Sequence, residues 1–250
     1  MHKKHSFIAY KIFESHKNLV AFTSTKQSFR AEKTRFTGDS PEIFTENRTQ
    51  LAEKLGMEVQ QLVFPRQTHT DCVAEIDGIP DCEITETDAL VTNQKGICIC
   101  VQTADCVPIL LFDSEKQVVA AIHAGWRGTV KKISAAAVQK MVVKFGVNPA
   151  NILAAIGPSI SQAVYEVGSE VTEAVLNSIP NAEKVIRLYS SGKNHIDLWE
   201  ANRQVLLHAG LQTENIEILG ECSFSENDKY FSARKKGAET GRMVSGIMLL

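Results

Sequence analysis

Apolar positions in this chain fall more often into short runs than into helical stripes. Runs at residues 18–23, 61–64, 73–76, 89–91, 97–101, 107–112, 118–122, 152–156, 215–219 and 243–250 have the length and branched or aromatic content of strands. Helical spacing is confined to four stretches. Residues 41–55 carry Leu51 and Leu55 among strong helix formers and stop at Gly56. Residues 130–145 repeat Val130, Ile133, Ala137, Met141 and Phe145 at spacings of three and four, with Thr129 as the expected cap and Gly146 as the stop. Helices are also expected over 169–178 and 198–209, the latter ending at Gly210. Residues 24–40 and 226–242 read as polar loops. Strands outnumber helices and do not alternate strictly with them. The pattern predicts an α+β fold with mixed β-sheets rather than a doubly wound one. With no repeat, low-complexity tract or linker, residues 1–250 are expected to form a single domain.

Composition narrows the function. Of 250 residues, 44% are hydrophobic and 22% charged, enough for a sizeable core. The formal net charge is −2, and Arg234-Lys235-Lys236 is the one short basic run, so no nucleic-acid partner is expected. No apolar stretch approaches the roughly 20 residues that span a bilayer, so no membrane partner is expected either. The N-terminal residues carry two lysines but no long apolar segment or small-residue cleavage site. A cytoplasmic protein with reduced thiols at Cys72, Cys82, Cys98, Cys100, Cys106 and Cys222 is the expectation. Cys98 and Cys100 alternate onto one strand face, as small buried residues do. Neither a GxGxxG after a strand nor a GxxxxGK[ST] occurs, so dinucleotide and P-loop chemistry lack their fingerprints.

The chemistry concentrates at 103–129. Residues 107–112 and 118–122 flank Asp113-Ser114-Glu115-Lys116, which has turn composition. An antiparallel hairpin brings Cys106, before the first strand, beside His123, after the second. A thiol held next to an imidazole serves either a metal or a nucleophile pair. His69 also falls at a strand end, and two imidazoles with a thiolate make a zinc set that leaves a fourth position open. Spacing alone does not decide this, since neither HxxxH nor CxxC is present.

Polar neighbours extend the candidate site. Asp105, beside Cys106, has the chemistry to orient a ligand or accept a proton, and equally that of a turn cap. The sequence from Ala124 to Thr129 is a glycine-bracketed turn leading to a helix start, where backbone N–H groups favour an anion and Arg127 can fork onto phosphate or carboxylate. Arg127 pairing with a structural acid is an equal alternative. Arg234, Tyr165 and Glu166 are further polar candidates. The 157–159 turn and the 192–197 loop are candidate walls.

Several blocks together resemble one family. QTH at 67–69, TADCVPILL at 103–111, HAGWRGT at 123–129, IGPSI and YEVG within 156–168, DLWEANRQVLLHAG at 197–210 and the FSARKKGAETGRMVSGIML tail are similar to the laccase-domain, or YfiH-like, family. The resemblance covers nearly the whole chain. It implies a layered α/β/β/α domain and a metal site at His69, Cys106 and His123. It also implies zinc-dependent phosphorolysis of adenosine, inosine, guanosine and 5′-methylthioadenosine, with adenosine deamination, so purine nucleosides and phosphate are the expected partners. The tail arginines Arg234 and Arg242 match the family pattern without assigned roles. Oligomeric state stays open.

Three other functions bear weighing. The family was first labelled polyphenol oxidase, and Cu2+ is the alternative to Zn2+. A multicopper set needs many imidazoles, however, and the seven histidines here include no HxH pair. A cysteine hydrolase would use Cys106 as nucleophile and His123 as base, but has no need of His69. A zinc-stabilised binding module is disfavoured by the open fourth position.

Overall fold

The computed structural model describes residues 7–39, 41–189 and 192–250. His2, His5 and the end of the loop predicted over 24–40 lie outside these. The first half of the chain supplies β1 (Phe7–Ile8), β2 (Leu19–Ser24), α1 (Pro41–Leu55), β3 (Leu62–Val63), β4 (Val73–Glu75), β5 (Ala89–Thr92), β6 (Cys98–Thr103), β7 (Val107–Asp113) and β8 (Val118–Ala124). The second half supplies α2 (Trp126–Val130), α3 (Ile133–Phe145), β9 (Leu153–Ile156), β10 (Glu166–Val167), α4 (Ser169–Ser178), β11 (Ile186–Leu188), β12 (Asn194–Ile196), α5 (Leu198–His208), β13 (Ile216–Ile218), α6 (Ala233–Lys236) and β14 (Met243–Leu249).

Two mixed sheets stack at the centre. One has the order β1-β2-β14-β6-β3 and the other β13-β9-β7-β8-β5-β4. Alternation of side chains across each strand sorts the core into layers. On β7, Leu110 and Phe112 meet Ile99 and Val101 of β6 and Ile247 and Leu249 of β14 between the sheets. Ile109 and Leu111 point the other way, toward Ala137, Val138 and Met141 of α3 and Val205 and Leu206 of α5. On the far side, Cys98, Cys100, Val244 and Met248 pack with Leu51 and Ala52 of α1. The expected α/β/β/α layering and the shared face of Cys98 and Cys100 are both present.

The β7–β8 hairpin is the site's scaffold. All seven residues of each strand are buried, which suits uninterrupted apolar runs flanked by layers on both sides. The Asp113 side chain accepts from the Lys116 amide (2.6 Å) and closes the turn.

Three expectations need correction. The helix predicted over 130–145 is α3, which starts three residues later, and the short α2 precedes it. α2 starts after Gly125, and the chain breaks at Lys131–Lys132, where Lys132 is left-handed at φ 62°. Thr129 is not a cap: its hydroxyl accepts from Asn202 of α5 at 3.0 Å. The loop predicted over 226–242 contains α6, capped by the Ser232 hydroxyl, which accepts from the Lys235 amide (3.2 Å). The expected 192–197 loop instead forms β12, the middle strand of a small β10-β12-β11 sheet whose two- and three-residue strands are too short to show a period.

Candidate metal centre

Hairpin register does most of the assembly. Pro108 of β7 faces His123 of β8, and Val107 faces Ala124. Cys106, just before β7, therefore meets the chain as it leaves β8. His69 arrives from the β3–β4 loop at a left-handed φ of 63°. The ligand atoms of His69, Cys106 and His123 all lie within 4.8 Å of one another. His69 Nε2 is 3.8 Å from Cys106 Sγ, and the two imidazole rings are 4.8 Å apart at 74°. His123 is buried, Cys106 half-buried and His69 exposed, so the cluster opens to solvent on the His69 side.

These donors fit a tetrahedral metal. Zinc–sulfur and zinc–nitrogen bonds of about 2.3 and 2.0–2.1 Å put sulfur and nitrogen roughly 3.6 Å apart, close to the observed separation. Two glycines make the approach possible. A Cβ on Gly125 would stand 2.9 Å from His69 Cδ2 and 3.0 Å from Cys106 Sγ. A Cβ on Gly128 would press on the Thr70 carbonyl at 3.2 Å, under the loop that carries His69. The glycine bracket is thus a matter of space. The anion cradle expected at the helix start is only a five-residue helix.

Asp88, which sequence reasoning passed over, organises both histidines. It is fully buried just before β5. Its Oδ1 accepts from His123 Nδ1 at 2.7 Å and from the His69 amide at 3.1 Å. Its Oδ2 accepts from the Thr70 amide (2.7 Å), the Thr70 hydroxyl (2.8 Å) and the Thr68 amide (3.2 Å). One carboxylate thus fixes the ring of His123, with Nε2 left for a ligand, and the backbone of the His69 loop. The signal was register: Ala89 of β5 faces Ile122 of β8, so Asp88 falls beside His123.

Electrostatics follow from this packing. Burial alone would raise the Asp88 carboxyl, but the His123 hydrogen bond and charge, with the Thr70 amide and hydroxyl, hold it well below the usual carboxylate range. Burial would raise the Cys106 thiol. The charge and hydrogen bond of His123, then those of His69, outweigh it and bring the thiol down to about 6. For His123, burial opposes protonation, yet the Cys106 thiolate and the Asp88 hydrogen bond raise it to about 9. Both shifts favour a thiolate–imidazolium pair in the absence of a metal.

The remaining candidates sit around this cluster in different ways. Asp105 is at φ 84°, and its carboxylate accepts from the Ser223 hydroxyl and the Arg234 amide, both at 2.6 Å, so it points into the tail. The Arg234 guanidinium lies 5.1 Å from the Tyr165 ring and donates to the Glu166 carbonyl at 3.0 Å. The Arg127 guanidinium is exposed and lies over Trp126 at 4.3 Å. Tyr165 belongs to the same neighbourhood. Burial first, then the Cys106 charge, raise its phenol to about 12, while Arg234 and Arg127 oppose the rise.

Comparison with known proteins agrees across the chain. A family model described as multi-copper polyphenol oxidoreductase laccase matches residues 23–250. A purine nucleoside phosphorylase of Bacteroides thetaiotaomicron is 37% identical over 263 residues, covering 99% of this chain and 97% of the relative. Adenosine deaminase RL5, from an unknown prokaryotic organism, is 44% identical over 221 residues, 85% of this chain and 84% of that one. The crystal structure of a hypothetical protein YfiH of Bacillus licheniformis superposes with a TM-score of 0.90 at 30% identity, covering 99% of this chain and 98% of that one. That of YlmD from Geobacillus stearothermophilus gives 0.88 at 27% identity, with 100% and 98% covered. Sequence and fold together show that the chain belongs to the YfiH-like laccase-domain family.

Proposed function

We propose that residues 1–250 form one catalytic domain, a zinc-dependent purine nucleoside phosphorylase that also deaminates adenosine. The observation that carries this is the His69–Cys106–His123 cluster braced by Asp88, in a chain whose relatives bear those two names. Adenosine, inosine, guanosine and 5′-methylthioadenosine are the proposed nucleosides. A zinc ion on the three donors would supply Lewis acidity at the open side of the cluster. Cu2+ suits the same donors, and the metal is the first quantity to measure.

In phosphorolysis, a phosphate oxygen bonds to C1′ of the ribose as the C1′–N bond breaks. The departing electron pair goes to the purine, which takes up a proton, and the products are free base and ribose 1-phosphate. In deamination, water adds its oxygen at C6 and the amino group leaves as ammonia. Arg127 and Arg234, the two cations felt by Tyr165, are assigned to substrate binding. Asp105 enters as a positioning residue for Arg234, since it holds that residue's amide. Its proton-carrying role would need one of its two hydrogen bonds to open.

We assign the chain to the cytoplasm, where its six free thiols stay reduced. Among the described residues no helix is long and apolar enough to cross a membrane.

A second reading has one observation in its favour. The thiolate–imidazolium pair at Cys106 and His123 is the resting form of a cysteine nucleophile. The test is a phosphate-dependent nucleoside cleavage assay on metal-quantified protein. Release of base from inosine or adenosine that stops on chelation supports the proposal. Hydrolase activity in metal-free protein, abolished by iodoacetamide at Cys106, supports the alternative.

A further inference from the structure

Two arginines at the tail end of the site have no close, buried anionic partner; the exposed Glu239 approaches Arg35 at 4.0 Å. Arg242 and Arg35 both donate to the Ala238 carbonyl, at 3.0 and 3.1 Å, so their guanidiniums are held side by side. The other bonds of the Arg242 guanidinium go to the carbonyls of Thr240 (2.7 Å) and Gly241 (3.1 Å). Among the described residues no carboxylate lies within 4.0 Å of Arg242. Glu239 reaches Arg35 only at 4.0 Å, from a side chain that is 91% exposed, whereas the Arg35 side chain is 21% exposed. Half-buried like charges held together by neutral carbonyls are costly unless an anion joins them.

The pair is built rigidly. The Arg242 amide donates to the Thr34 carbonyl at 2.9 Å, and the buried Thr34 hydroxyl donates back to the Arg242 carbonyl at 2.6 Å. This clasp fixes Arg35, the next residue, against Arg242. The clasp also sits near the metal cluster. Met243 pairs with Thr103 of β6, three residues before Cys106. Burial first, then the Arg35 charge, bring the Arg242 guanidinium down to about 10, while the negative charges of Cys106, Glu239 and Asp105 oppose the drop. The group stays cationic at neutral pH and feels the acidic groups of the site. A guanidinium has five N–H donors, of which the three bonds above use three, so two remain on Arg242 for a tetrahedral oxyanion.

We infer that Arg242 and Arg35 form the seat for the phosphate co-substrate, leaving Arg127 and Arg234 to the nucleoside. This rests on the phosphorolysis reading. Arg127, exposed on Trp126, lacks the comparable pairing.

The test measures KM for phosphate and for inosine in wild type, Arg242→Gln, Arg242→Lys, Arg35→Gln and Arg127→Gln, each as metal-loaded full chain. Loss of one charged donor should raise the phosphate KM at least about tenfold in R242Q and about threefold or more in R35Q, with R242K intermediate. The inosine KM should move much less. Phosphate KM values within twofold of wild type in both glutamine variants, or the loss falling on R127Q instead, overturn the seat. Thermal melting in graded inorganic phosphate keeps the two ideas separate. If the wild type cleaves no nucleoside, the phosphorolysis reading fails on its own. The seat then stands if phosphate raises the melting temperature of wild type and not of R35Q, and falls if both respond alike.

Discussion

The Asp88 carboxylate accepts the Nδ1 hydrogen of His123 at 2.7 Å, and the same oxygen accepts the His69 amide at 3.1 Å. Two of the three proposed ligands, His69 and His123, 54 positions apart in the chain, therefore answer to one buried charge. Outer partners of this kind affect metal affinity by about 10–100-fold. Asp88→Asn keeps the shape, removes the charge and exchanges one acceptor for a donor, which then faces either the His69 amide and His123 Nδ1 or the Thr68 and Thr70 amides. It should weaken metal binding by that factor and lower the melting temperature of the metal-free protein as well, measured by chelator competition and calorimetry. Unchanged affinity would show that Asp88 does not serve the ligands.

Cys106→Ala separates catalysis from structure. The side chain is half-buried at the edge of the layers rather than in a core cluster. The metal-free variant should melt within a few degrees of metal-free wild type, since a truncation at such a site costs about 1 kcal/mol. Metal content and nucleoside cleavage should both fall to background. A large loss of melting temperature in the metal-free state would instead mark the cluster as structural.

Gly125→Ala and Gly128→Ala grade the same packing. The added methyl at 125 meets two proposed ligands at 2.9 and 3.0 Å, while that at 128 meets the Thr70 carbonyl at 3.2 Å. G125A should lose metal affinity by about tenfold or more, because a first-contact clash moves donors directly, and G128A by less. Equal affinity in G125A and wild type would contradict the geometry.

Metal-free protein should show the thiolate–imidazolium pair directly. The Cys106 pKa is depressed to about 6 from 9.0, so its contribution to stability is fully present above 9 and lost as pH falls through about 6. The His123 pKa is raised to about 9 from 6.5, so its contribution is fully present below 6.5 and lost as pH rises through about 9. The pair therefore stabilises the metal-free fold mainly between about 6 and 9. The melting difference between metal-free wild type and C106A, a few degrees at most, should be largest in that window and shrink outside it. Alkylation of Cys106 by iodoacetamide should rise with a midpoint near 6, and a midpoint near 9 would exclude the pair.

Much of this was legible because the hairpin is local. Two uninterrupted apolar runs around a turn already bring Cys106 to His123, and donor chemistry alone adds His69. Register would have added Asp88, but only once β5 was known to pair with β8. Other features depend on contacts that no local pattern records. The break at Lys131–Lys132 goes with the bond between Thr129 and Asn202, 73 positions away. Arg35 lay unremarked in a polar loop, because its meaning comes from the clasp between Thr34 and Arg242. Asp105 shows the reverse case, since its place beside Cys106 suggested chemistry while its carboxylate is taken by Ser223 and Arg234.

One measurement bears most directly on the account: phosphate-dependent cleavage of inosine and adenosine, with metal quantified on the same sample. The account predicts about one zinc per chain on the three donors. It predicts base and ribose 1-phosphate from inosine, adenine, inosine or hypoxanthine from adenosine, and loss of both activities on chelation with recovery on zinc. Zinc-loaded protein that leaves both nucleosides intact, or several coppers per chain with phenol oxidation, would contradict it.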